Sequence, residues 1–78
     1  MFMGQETFNE LKTMRENLKL LRKRNKWSVE QLSQIAEINV KTLKGIEGDE
    51  DFEVEYLFTL CDVYGIKVHE IFLTTPSD

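Results

Sequence analysis

Residues 28–47 read SVEQLSQIAEINVKTLKGIE. Ser28-Val29-Glu30-Gln31 fits a capping box, in which an N-cap hydroxyl and a Gln or Glu three residues on satisfy each other's backbone donors. Trp27 and Leu32 flank it at the spacing of a hydrophobic staple, so the spacing predicts a short helix over about 29–36. Asn39 is a second N-cap, and Ile38 with Leu43 repeats the staple, which opens another helix over about 40–47. Only Glu37, Ile38 and Asn39 separate the two. Short helices joined by such a turn make a helix-turn-helix when apolar side chains lock them. Here the expected locks are Leu32, Ile35, Ile38, Leu43 and Ile46, with small Ser33 at the crossing.

The flanks extend the helical reading. Thr7-Phe8-Asn9-Glu10 is another capping box, and Phe8, Leu11, Met14, Leu18 and Leu21 follow at spacings of three and four, predicting a first helix over about 7–25. Val54, Leu57, Phe58, Cys61 and Tyr64 mark a fourth over about 53–64, stopped by Gly65. Val68 to Phe72 predicts a last short helix, about 68–73, and the tail 74–78 is expected to fray. Gly falls only at 4, 45, 48 and 65, the sole Pro is Pro76, and no period-two alternation occurs. The expected fold is therefore all-α, a compact five-helix domain.

Seventy-eight residues, 41% of them apolar, suit one folded domain spanning 1–78. At this size about 60% of the unfolded surface is buried, so the stability margin is thin. No stretch approaches the roughly 20 apolar residues that span a bilayer. The start MFMGQETF lacks the pattern of a secretory signal, and a lone cysteine makes neither a disulfide nor a zinc cage, so a cytoplasmic location is expected. Net charge is −4 but uneven: residues 1–48 carry nine Lys/Arg against six Asp/Glu, whereas 49–78 carry Lys67 against eight acids. A basic half allows nucleic-acid contact despite an acidic whole.

LKLLRKRNKWSVEQLSQIAEINVKTLKGIEGD, followed by FEVEYLFTLCDVYGIKVHEIF, resembles the five-helix DNA-binding domain of phage repressor and Cro-type regulators, the XRE family. That pattern has an apolar helix with an internal Arg, then Leu-Ser-Gln-x-x-Leu-Ala, a Gly-containing turn, and a recognition helix ending Ile-Glu-x-Gly. The resemblance covers residues 18–72, with a loop near 49–52 one residue short, and leaves 5–17 as an N-terminal helix extension. It implies a lambda-repressor-like fold and double-stranded DNA as partner. There are departures. Val29 stands where a phosphate- and base-contacting Gln is usual, Glu37 where the turn Gly is usual, Ser33 replaces Ala, and Phe52 replaces a Pro. Glu37 is thereby expected to accept a positive φ.

Carried over by position, the groove-facing residues are Asn39, Val40, Lys41, Lys44 and Gly45. Lys41 suits guanine O6/N7 and Val40 a thymine methyl, while Lys44 suits phosphate. Gly45 reads either as close backbone approach to DNA or as a weakened reader. The backbone amides of Ser28 and Val29 can face a phosphate from a helix N-terminus. The resemblance also implies a structural ion pair between Arg22 and Glu47. In the basic run Lys19, Arg22, Lys23, Arg24, Lys26, a solvated face is the bland reading, and Lys23 and Lys26 are the phosphate candidates.

Trp27 is expected in the core, Cys61 as a buried inert thiol, and His69 without a metal role, having no His or Cys companion. No nucleophile–base set or Gly-rich phosphate loop suggests an enzyme, and no cofactor is implied. The acidic run 49–55 reads in three ways: carboxylates at a helix N-terminus, repulsion of DNA, or a protein-docking surface. The expected function is a sequence-specific DNA-binding transcriptional regulator acting as a homodimer, through Ile71, Phe72 and Leu73 or through Phe8 and Leu11. The alternative is a protein-interaction or antitoxin-like module with weak or no DNA binding.

Overall fold

The computed structural model of the chain describes the backbone of residues 2–73 and the side chains of residues 10–73. These residues form four α-helices, α1 (Phe2–Arg24), α2 (Val29–Ala36), α3 (Val40–Glu47) and α4 (Val54–Tyr64), then a 3-10 helix at Val68–Phe72. No strand occurs among the described residues. α2 packs on α3 and α4, while α1 packs across α3 and the 3-10 helix. The core is Met14 and Leu18 from α1, Leu32 and Ala36 from α2, Ile38, Leu43 and Ile46, then Leu57, Leu60, Cys61 and Ile71.

Capping chemistry sets the boundaries of the middle helices. At α2, Ser28 Oγ accepts from the Gln31 amide at 3.0 Å and Gln31 Oε1 accepts from the Ser28 amide at 2.8 Å. At α3, Asn39 Oδ1 accepts from the Thr42 amide at 2.8 Å. Three helices end on a left-handed residue with the bond pattern of a Schellman motif. Gly65 does so after α4 (φ 71°), and Lys26 and Glu37 do so after α1 and α2 (φ 60° and 59°). The Trp27, Ile38 and Ile66 amides then donate back to Arg22, Ser33 and Cys61 carbonyls at 3.2, 3.3 and 3.0 Å. Only one of the three has a glycine to ease the strain.

Several expectations need correction. α1 starts at Phe2, not near residue 7, so Thr7 lies within the helix and is no N-cap; nothing upstream breaks the helix, and a T-x-x-E match also fits a helix interior. The last expected helix is a single 3-10 segment. Ile35 does not lock the motif; it is 47% exposed, because α2 turns Leu32 and Ala36 inward. On α4 the inward stripe is Leu57, Leu60 and Cys61, leaving Val54 and Phe58 61% and 52% exposed. The Phe8 side chain and the tail 74–78 lie outside the described residues.

Two polar residues on α1 close the fold. Asn17 is buried, and its Nδ2 donates to the Ile71 carbonyl at 2.8 Å and to the Leu73 carbonyl at 2.7 Å. Buried amide groups need such partners. Trp27 is half-buried and stacks on Tyr64, ring centroids 6.0 Å apart. The Tyr64 hydroxyl is buried with no hydrogen-bond partner among the described residues.

Candidate nucleic-acid interface

On α3 the residues expected to face a groove divide by burial. Leu43 and Ile46 are fully buried, which turns Lys41 and Lys44 outward and leaves Val40 half-exposed. Asn39 is exposed, but its Oδ1 is committed to the cap, so its Nδ2 is the end left for a ligand. Lys23 is exposed in the last turn of α1 and Lys26 in the connection that follows, close in the chain to the α2 N-terminus. There the two expected amides differ. The Ser28 amide already donates to Gln31 Oε1, so it is not free for phosphate, and Val29 remains. Glu30 is exposed in the first turn beside it, a carboxylate where an anion would approach.

The C-terminal end of α3 is held by two arginines from α1. Arg22 Nε and Nη2 donate to Glu47 Oε2 and Oε1 at 2.8 and 2.9 Å, and Nη1 donates to the Trp27 carbonyl at 2.9 Å. The two side chains retain 10% and 8% of their exposure. These bonds to Glu47 raise the guanidinium pKa above its ordinary value, against the opposing effect of burial. Arg15, one heptad earlier, was not anticipated. Its Nη1 donates to the Gly45 and Ile46 carbonyls at 2.9 and 3.1 Å, and its guanidinium lies 5.4 Å from the Phe52 ring centroid. A cation on the last carbonyls of a helix suits the negative end of its dipole. A sequence signal existed: positions 15 and 22 are seven apart on one helix face.

Gly45, expected either to approach DNA by its backbone or to weaken the reader, is buried, and the Glu50 side chain lies over it. The acidic segment therefore returns to α3 instead of pointing away. The Glu50 amide donates to the Gly45 carbonyl at 3.1 Å. Gly48 makes this return possible, since a Cβ there would meet the Lys44 carbonyl at 2.9 Å. Of the later acids, Glu53 is the N-cap of α4 without a side-chain cap bond, and Glu55 sits in the first turn. The outward side of α3 thus places Lys41 and Lys44 beside Asp49 and Glu50 around one open cleft.

Burial pushes the Tyr64 hydroxyl far above the usual tyrosine range, reinforced by the nearby Glu47 carboxylate. It likewise pushes the Cys61 thiol up. Among the described residues no His/Cys/Asp/Glu group is arranged to hold a metal, and no helix is long and apolar enough to cross a membrane. The family model for the Cro/C1-type HTH DNA-binding domain matches residues 17–77. Compared with curated proteins and with solved structures, the chain matches none.

Proposed function

The chain belongs to the Cro/C1-type HTH DNA-binding domain family, and on that premise we propose a sequence-specific transcriptional regulator that binds double-stranded DNA as a homodimer. α3 enters the major groove, and two copies address successive grooves of a pseudo-palindrome. Lys41 and Val40 read base edges with Asn39 beside them; Lys44, Lys23, Lys26 and the Val29 amide hold phosphates. The whole chain acts as one domain, in the cytoplasm. The observation that carries this reading is the two-sidedness of α3: Leu43 and Ile46 are fully buried, and Lys41 and Lys44 face out together.

For the dimer surface, Ile71 is removed from contention, being 1% exposed in the core. Phe72 is half-buried, whereas Leu11 and Leu73 are exposed apolar side chains available to a second copy. A second reading has one observation in its favour. Glu50 lies against α3, so a cationic protein partner would find carboxylates where a DNA groove would find repulsion.

Binding to a random duplex pool at several salt concentrations separates the two. DNA binding gives a slope of log K against log salt of about −0.9 per phosphate neutralised. Lys41→Ala then lowers discrimination between sequences, and Lys23→Ala weakens all sequences alike with a slope shallower by about one unit. No binding at about 50 mM salt, where phosphate contacts are strong, would discard the DNA reading in favour of the protein-docking one.

A further inference from the structure

A helix that reads a groove through its outward side chains has a gap at Gly45, and Glu50 fills that gap. A Cβ at position 45 would lie 3.2 Å from Glu50 Cβ and 3.2 Å from its Oε1. The seating is built by backbone: the Gly45 carbonyl accepts from the Glu50 amide at 3.1 Å and from the Gly48 amide at 3.2 Å. Yet Glu50 is exposed, so covering Gly45 does not bury it. Glu50, Gly45 and Lys41 line both open clefts on this side of α3, one shared with Val40 and Lys44 and the other with Thr42 and Phe52. A carboxylate borrowed from the loop thus stands where position 45 would project its own side chain, one turn after Lys41.

We propose that Glu50 is a base-reading residue, its carboxylate accepting a hydrogen bond from the amino group of cytosine in the major groove. This deepens the DNA-binding reading and rests on it. An ionised carboxylate only accepts, so it suits the cytosine N4 amino group and is repelled by the O6 and O4 acceptors of guanine and thymine. Lys41 only donates, and it suits guanine O6/N7. A donor and an acceptor one turn apart read a guanine and a cytosine as a pair of opposite demands. On this view the acid lowers affinity for DNA in general and returns discrimination at one base.

The test is selection of bound sequences from a random duplex pool at low salt, using the unaltered chain, Glu50→Ala, Glu50→Gln and Gly45→Ala, each first checked for unchanged helix content. The unaltered chain should select a motif with one cytosine per half-site whose replacement by guanine or thymine lowers affinity about tenfold. Glu50→Ala should flatten that position to within about twofold while leaving the Lys41-dependent positions intact. Glu50→Gln should move the preference toward adenine, which a carboxamide reads through N6 and N7. Gly45→Ala, whose methyl displaces the carboxylate, should flatten the same position without touching Glu50 itself. If Glu50→Ala instead tightens binding to every sequence and leaves the motif unchanged, Glu50 only repels and the proposal is overturned. If neither the unaltered chain nor any variant binds DNA, the DNA reading itself has failed and takes the proposal with it.

Discussion

The two faces of α3 are built on opposite plans. Inward, Leu43 and Ile46 are fully buried, Glu47 takes two bonds from Arg22, and Arg15 holds the Gly45 and Ile46 carbonyls. Outward, Lys41 and Lys44 project with Glu50 among them and have little packing to fix them. The contrast teaches a division of labour. Eight residues form too short a helix to be stable alone, so its position comes entirely from the inward contacts. The outward side chains can then be chosen for what they touch, because they are not asked to hold the helix.

The sharpest way to break the contrast is Arg22→Met. It strands the Glu47 carboxylate in a site nine-tenths buried, and the expected loss is about 3–5 kcal/mol in urea unfolding. The double variant Arg22→Met/Glu47→Leu should regain most of this, because no lone charge remains. An unchanged midpoint for the single variant would mean that the pair does not hold α3. Arg15→Met removes a cation from two helix-end carbonyls and from the Phe52 ring, with an expected loss of about 1–3 kcal/mol. Equal losses from Arg15→Met and Arg22→Met would erase the distinction between a charge paired with a buried acid and a charge resting on carbonyls.

Glu37→Gly tests the turn that aims α3. The left-handed conformation costs a side-chain-bearing residue about 1–2 kcal/mol, so glycine should raise stability by about 1 kcal/mol. Destabilisation would show that the Glu37 side chain contributes something its exposure does not reveal. The smallest effect concerns pH. Burial raises both Cys61 and Tyr64, so the unfolded chain gives up these protons first. Stability from both groups is complete below the ordinary thiol value and falls as pH rises, by a few tenths of a kcal/mol near pH 9, where unfolded thiols are half-ionised. Cys61→Ala should remove the first part of that decline in an unfolding series from pH 7 to 10.

Much of the fold was legible because caps are local chemistry. Ser28, Asn39 and Gly65 each act within four residues of the bond they satisfy, so their meaning does not depend on the rest of the chain. Thr7 misled for the same reason: a cap exists only where the helix stops, and residues 2–6 are already part of α1. Periodicity found Met14 and Leu18 on α1 and Leu43 and Ile46 on α3, but it also placed Leu11 on the α1 stripe, where it is 39% exposed. It misplaced Ile35, Val54 and Phe58 because a helix rich in apolar residues offers more than one stripe, and only the packing partner selects one. Asn17 and Arg15 went unread since their partners are main-chain carbonyls far along the chain, which carry no residue identity. Asn17 had a signal, lying on the stripe between Met14 and Leu21 where a polar side chain must find a bond. Lys26 and Glu37 share a strained geometry, but only Glu37 could be anticipated, from a turn position where the family resemblance supplies glycine. The seat of Glu50 over Gly45 could not be anticipated, since it depends on how the loop returns.

The bonds from Asn17 to the Ile71 and Leu73 carbonyls have a consequence for how the protein is made. They join residues 54 and 56 positions apart, so the inner side of α1 has no partner there until the ribosome has released the segment around Leu73. The turn at Val68–Phe72 is thus what covers the inner side of α1 at Asn17, joining the two ends of the described fold.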